Sequence, residues 1–262
     1  MKIGVFDSGL GGLVITKAFV KALPEYDYVY FGDTARLPYG DKTPEQILSY
    51  TVEAVKFLIK QNCGLIIIAC NTATSVALRF LQRQFIPFYA PDVKVLGVVI
   101  PTVEVALEDK ASRIGVLATK ATVASHLYRA ELHKINPNLE VFEEAAPELV
   151  PLIENNDFAE AEKAAVAYAK QFKNIESLFL GCTHYPLVKT ALRKALPENV
   201  KVVSQDELMG DKLKDYLKRH FEIDICLSRE GRLEVLVSRL NEHYRQVALR
   251  LFPNVKIKEV EQ

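Results

Sequence analysis

The sequence predicts an α/β protein of two similar domains, each with a mostly parallel sheet flanked by helices, and a site in the cleft between them. Two observations carry this. Short β-branched apolar runs alternate with amphipathic helical stretches, the pattern of strand–helix units around a parallel sheet. Two pairs of segments also repeat at nearly one offset. Ile3–Ser8 (IGVFDS) resembles Ile114–Thr119 (IGVLAT), and Leu65–Thr72 (LIIIACNT) resembles Ser177–His184 (SLFLGCTH). Each half then contributes one strand end bearing a hydroxyl and one bearing a cysteine. The segment from about Glu207 has no counterpart in the repeat and is expected to return to the first half. The expected division is residues 1–97 plus 207–262 for the first domain and 98–206 for the second.

Strands are expected at Lys2–Phe6, Tyr28–Phe31, Leu65–Ala69, Val93–Val98, Arg113–Leu117, Leu139–Phe142, Leu178–Leu180 and Val200–Val203, where short apolar runs are bounded by turn residues. Asp7-Ser8-Gly9-Leu10-Gly11-Gly12 follows the first run. It is neither G-x-G-x-x-G nor a phosphate loop. It reads either as a loop whose N–H groups hold a carboxylate or as a plain glycine turn with Asp7 as a helix cap. The helix Pro44–Lys60 has a full start signal: Thr43 as N-cap, Pro44 at the first helical position, Gln46 closing a capping box. Its Ile47, Val55, Leu58 and Ile59 lie mostly on one face. Similar periodicity places helices at Ser75–Phe85, Val123–Ile135, Phe158–Phe172, Leu187–Leu196 and Glu207–His220.

Composition narrows the function. Of 262 residues 49% are hydrophobic, enough for a sizeable core, and Lys+Arg and Asp+Glu each count 33. Zero net charge gives no footprint for nucleic acid or an anionic membrane. The opening apolar run breaks at Asp7, too early for a signal-peptide core, and no apolar stretch approaches the roughly 20 residues of a membrane helix. A cytoplasmic chain with reduced thiols is the expectation. No C-x-x-C or zinc-finger spacing occurs, so no metal is expected.

Cys70 and Cys182 each end a strand and precede small hydroxyl residues. Strand carboxyl ends form the ligand crevice of doubly wound folds, and the N-terminus of a following helix favours the reactive thiolate. Either cysteine alone reads as buried packing; their equivalent settings make them a pair. Cys63 and Cys226 lack that context and are assigned to structure. His184, two residues from Cys182, is suited to holding a proton near neutral pH. Pro38-Tyr39-Gly40 reads as a turn, or as backbone that meets a substrate carboxylate.

Taken together, GVFDSGLGGL (4–13), YFGDTARLPYG (30–40), IIIACNTAT (66–74), GVLATKAT (115–122), VPLIE (150–154) and FLGCTHYPL (179–187) resemble the glutamate racemase family, within the aspartate/glutamate racemase superfamily. The resemblance implies two bases, Cys70 and Cys182, assisted by Asp7 and by His184 with Glu154. It implies a binding shell of Asp7, Ser8, Tyr39, Gly40, Asn71, Thr72, Thr183 and His184, with Thr119 and Thr122 lining the second half. It further implies no cofactor, a homodimer, glutamate as the substrate and D-glutamate supplied for peptidoglycan. The chain departs at Ile100-Pro101, where many members have Glu-Pro or Gln-Pro, at Ala145–Glu148 before VPLIE, and from Asp224 to Gln262.

Racemisation removes a proton from one face of Cα and returns one to the other. Two thiols, one per wall, do this without moving. One sulfur must be thiolate while the other is thiol. The helix N-termini and a charged His184 are expected to favour thiolate, and Asp7 to accept a thiol proton. Three rival readings remain at this stage: an aspartate racemase or other superfamily isomerase, a hydrolase using Cys182 and His184, and an amino-acid-binding regulator.

Overall fold

The computed structural model describes residues 1–106 and 111–261. Its strands are β1 (Lys2–Asp7), β2 (Tyr28–Gly32), β3 (Cys63–Ile68), β4 (Lys94–Gly97), β5 (Arg113–Ala118), β6 (Glu140–Ala145), β7 (Ser177–Gly181), β8 (Lys201–Val203), β9 (Leu233–Val237) and β10 (Lys256–Glu259). They form two sheets, ordered β10-β9-β2-β1-β3-β4 and β6-β5-β7-β8, and every described pairing is parallel. The order β2-β1-β3-β4 is the order β6-β5-β7-β8. The repeat in the sequence is therefore a repeat of topology, with β1 and β5 in equivalent places.

β3 shows why the apolar runs become strands. Leu65 and Ile67 enter one apolar cluster with Ile3 and Val5, while Ile66 and Ile68 enter another with Phe6, Phe31 and Ile47, Val55 and Leu58 of the Pro44–Lys60 helix. A strand covered on both faces needs such a continuous run. The first cluster continues through Leu178 and Leu180 of β7, so the sheets share a core. The far side of the second sheet packs Ile114, Val116 and Phe179 on Tyr128 and Leu132.

The helix Pro44–Lys60 forms with the expected bounds. Thr43 Oγ1 accepts the Gln46 N–H at 3.3 Å, and Gln46 Oε1 accepts the Thr43 N–H at 3.1 Å. Other expectations need correction. Ser75–Phe85 is a helix from Asn71 to Phe80 followed by a π turn, and it starts early because the Cys70 sulfur caps it. Val123–Ile135 is two helices, Lys120–Ser125 and Leu127–Ile135, broken at left-handed His126 (φ 51°). The Ser125 hydroxyl makes the break, donating to the Thr122 carbonyl and accepting from the Leu127 N–H. Leu187–Leu196 is a 3-10 turn over Tyr185–Val188 and a helix only from Lys189 to Ala195.

The segment Gly11–Ala22, read as loop in its first residues, is a helix. It packs closely on the helix Gln205–Arg219, where a Cβ on Gly210 would lie 2.7 Å from the Ala18 carbonyl oxygen. The C-terminal segment does return to the first sheet, as β9 beside β2 and β10 beside β9. Among the described residues no helix is long and apolar enough to cross a membrane.

Candidate active site

The site forms where β1, β3, β5 and β7 end. These ends carry Asp7 and Ser8, Cys70, Thr119, and Cys182 with Thr183. A small cavity of about 10 Å³ lies between them, lined by Ser8, Tyr39, Gly40, Cys70, Asn71, Thr72, Thr119, Val150, Cys182, Thr183 and His184. Asp7, Glu154 and Thr122 sit one hydrogen bond behind this lining. A groove of about 1480 Å³ shares Gly40 with the cavity and opens outward past Lys42, Lys120 and Pro147.

On one wall Cys70 caps the helix Asn71–Phe80. Its sulfur accepts the Ala73 N–H at 3.5 Å and lies 3.6 Å from Ser8 Oγ. Burial, and next the charge of Asp7, push its pKa up to about 12; the Ala73 and Ser8 contacts pull the other way and lose. This corrects the expectation that a helix N-terminus makes Cys70 a thiolate, because desolvation outweighs one N–H contact. Asp7 is fully buried. Its Oδ1 accepts the Gly9 N–H at 2.9 Å and its Oδ2 accepts the Thr183 hydroxyl at 3.0 Å. Burial raises its pKa from 3.8 to about 6, against the charge of His184 and both hydrogen bonds.

On the other wall Cys182 Sγ lies 3.7 Å from His184 Nδ1, and His184 Nε2 lies 2.6 Å from Glu154 Oε1. Burial opposes the imidazolium, but the Cys182 and Glu154 contacts outweigh it, and the His184 pKa rises well above its ordinary value. The expected helix N-terminus is missing here, since Cys182 leads into the 3-10 turn. Glu154 Oε1 also accepts the Leu10 N–H at 2.8 Å. The glycine loop therefore does hold carboxylates, but they are the protein's own: Asp7 on Gly9 and Glu154 on Leu10.

Between the walls the hydroxyls of Thr72, Thr119 and Thr122 form a triangle with edges of 2.9, 3.0 and 3.3 Å. A Cβ on Gly40 would lie 2.8 Å from the Thr119 Cβ, so this loop closes directly on the second half. Tyr39 donates to Asp33 Oδ2 at 2.7 Å. Sequence reasoning missed several supporting groups. Val150 lies in the quoted VPLIE segment and was within reach. Asp33, in the quoted YFGDTARLPYG segment, was within reach too; Thr102, Tyr128 and Gln205 carry no local signal, because only the fold brings them together.

A small buried cavity with a thiol on each wall, at the strand ends of a duplicated α/β frame, is the arrangement that a two-base racemase, an isomerase, requires. The Asp/Glu/Hydantoin racemase family model matches residues 3–205. The chain belongs to that family. It is 43% identical over 223 residues to the glutamate racemase of Aquifex aeolicus, covering 83% of this chain and 84% of that one. It is 36% identical over 251 residues to glutamate racemase 2 of Caldanaerobacter subterraneus, covering 94% and 91%. The glutamate racemase of Francisella tularensis, solved in complex with D-glutamate, superposes with a TM-score of 0.87 at 33% identity, covering 99% of this chain and 97% of that one.

Proposed function

We propose that this protein interconverts L- and D-glutamate by proton transfer at Cα, with Cys70 and Cys182 as the two bases. The observation that carries the reading is the pair of buried thiols on one cavity, each with its own hydrogen-bond partner, Ser8 for Cys70 and His184 for Cys182. Cys182 stands beside an imidazole held by Glu154, an ion-pair partner for a thiolate. Cys70 rests as a thiol. On the family assignment, Cys182 takes the proton of L-glutamate and Cys70 delivers one to the opposite face. In the reverse direction Asp7, a carboxylate at neutral pH, accepts the Cys70 proton as substrate binds. The threonine triangle and the Ser8 hydroxyl surround the substrate with donors that offset charge gathering on its carboxylate in the transition state, and Asn71 binds that carboxylate in ground and transition state alike.

The domain division at residues 98 and 207 follows the two sheets and belongs to this proposal, as do a homodimer, a cytoplasmic location and supply of D-glutamate for peptidoglycan. The division is supported by the two sheets; the other three rest on family membership rather than on the site.

The test is solvent exchange. Glutamate and aspartate are incubated in parallel with the protein in D2O, and Cα–H and optical rotation are followed. Deuterium entry and loss of rotation with glutamate support the proposal; silence with both enantiomers of both acids sinks it. Cys70→Ser and Cys182→Ser should each abolish racemisation. A hydrolase using Cys182 and His184 would instead leave Cys70→Ser nearly silent.

A further inference from the structure

Asn71 follows Cys70 and lines the cavity, and its side chain enters a buried network that the proton transfers do not use. Four partners meet there: Gln205, Tyr128, Thr102 and the Val98 carbonyl. Gln205 and Thr102 are fully buried, and Asn71 is 1% exposed. The Asn71 and Gln205 amides pair face to face. Asn71 Nδ2 donates to Gln205 Oε1 at 2.8 Å, and Gln205 Nε2 donates to Asn71 Oδ1 at 2.9 Å. Gln205 Nε2 also donates to Thr102 Oγ1 at 2.9 Å, and the Thr102 hydroxyl donates to the Val98 carbonyl at 2.6 Å. The Tyr128 hydroxyl donates to Asn71 Oδ1 at 2.7 Å.

The direction of every bond in this chain is set by its last member. A carbonyl only accepts, so Thr102 must donate its one hydroxyl hydrogen to Val98. Thr102 Oγ1 therefore accepts, and Gln205 must turn its NH2 toward Thr102. That leaves Gln205 Oε1 facing Asn71, so Asn71 must turn its NH2 toward Gln205. Both lone pairs of Asn71 Oδ1 are then filled, by Tyr128 and Gln205. One Asn71 N–H stays unused, on a residue that lines the cavity.

We propose that Gln205 is a positioning residue that fixes Asn71 as a hydrogen-bond donor toward the substrate carboxylate. A carboxylate accepts and does not donate, so a flipped Asn71 would meet it oxygen to oxygen. A flip leaves the shape of Asn71 unchanged and reverses its polarity; the buried network removes that choice. Thr102 and Gln205 also lie where the chain leaves the first sheet for the second and comes back. The amide orientation is therefore held from both crossings and, through Tyr128, from the second half.

This inference rests on the glutamate racemase reading, and one assay separates the two failures. Racemisation of glutamate by the unaltered protein tests that reading. The inference is tested by Gln205→Met, which keeps length and removes every polar contact, and by Gln205→Glu, which keeps shape and removes both donors. KM for both enantiomers should rise about 10- to 100-fold, the loss of one hydrogen bond to a charged group, while kcat changes by less than about threefold. In an Asn71→Ala background, Gln205→Met should add no further rise in KM. Tyr128→Phe, which removes the other lock on Asn71 Oδ1, is the second variant should the Gln205 variants not fold. It too should raise KM in the native background and not in Asn71→Ala. An active unaltered protein whose Gln205→Met and Tyr128→Phe forms keep a normal KM overturns the inference. So does a full KM effect that persists without Asn71.

Discussion

The two thiols sit in unlike surroundings, and the difference is readable as pH dependence. Asp7 carries a pKa of about 6, raised by burial from 3.8. As the acceptor of the Cys70 proton it must be a carboxylate, so kcat/KM for D-glutamate should rise as pH climbs through about 6. That acid limb should vanish in Asp7→Asn. The same shift costs stability. A carboxyl whose folded pKa is raised holds its proton more tightly in the fold, so its stability is complete below pH 3.8 and is lost as pH rises through about 6. Asp7→Asn should therefore stabilise the protein by about 2 kcal/mol at pH 8 relative to pH 4, read by urea unfolding at both pH values. Glu154→Gln acts on the other wall. Losing the carboxylate at 2.6 Å lowers the His184 pKa and weakens its support of a Cys182 thiolate. The alkaline limb of the pH–rate profile should move to lower pH.

At the scale of elements, close backbone approaches position the chemistry. Gly9 has no room for a side chain: a Cβ would lie 2.2 Å from Glu154 Oε1, the oxygen that binds both Leu10 N and His184 Nε2. Gly9→Ala should keep the fold and lower kcat about 10- to 100-fold, because Glu154 must release one of its two partners. Gly210 works through packing alone. Alanine there favours the helix by about 1 kcal/mol, yet its Cβ meets the Ala18 carbonyl oxygen of the helix Gly11–Ala22. Overpacking costs about 1–3 kcal/mol and wins, so Gly210→Ala should lower the denaturant midpoint despite its better propensity. These two glycines look alike in the sequence and serve different ends.

At the scale of the whole molecule, the halves are closed on each other. Thr183 on Asp7, Glu154 on Leu10 and Thr72 on Thr119 all cross between them. The cavity they enclose, about 10 Å³, is near the lower limit for a single water. Glutamate must therefore enter by parting these contacts along the groove past Gly40. Cross-linking the Gly40 loop to the Thr119 end through an engineered cysteine pair should block turnover, and reduction should restore it. The C-terminal strands have a separate task. β9 covers the edge of β2, and the Lys2–Glu234 and Asp27–Arg232 ion pairs bind it there. A chain ending at Ser228 leaves that edge open and should aggregate, as seen by light scattering.

Much of this was legible in the residues, for a local reason. LIIIACNT and SLFLGCTH carry their strand, their terminus and their thiol within eight positions, and the Thr43–Gln46 cap lies within four. The duplicated frame, the paired cysteines and the family follow from such short segments. The protonation state of Cys70 did not follow, because burial by distant elements overrules the helix end beside it. Nor did the use of the glycine loop, whose N–H groups were taken by Asp7 and Glu154, the latter 144 residues from Leu10. β10 (KIKE) escaped notice because it is an edge strand made mostly of charged residues. Gln205 escaped because its meaning lies in Asn71, 134 positions away. Sequence alone determined the chemistry available on each wall; the tertiary structure decided which atoms are charged, which are spent and which still face the substrate, because those depend on burial and on partners that only folding supplies.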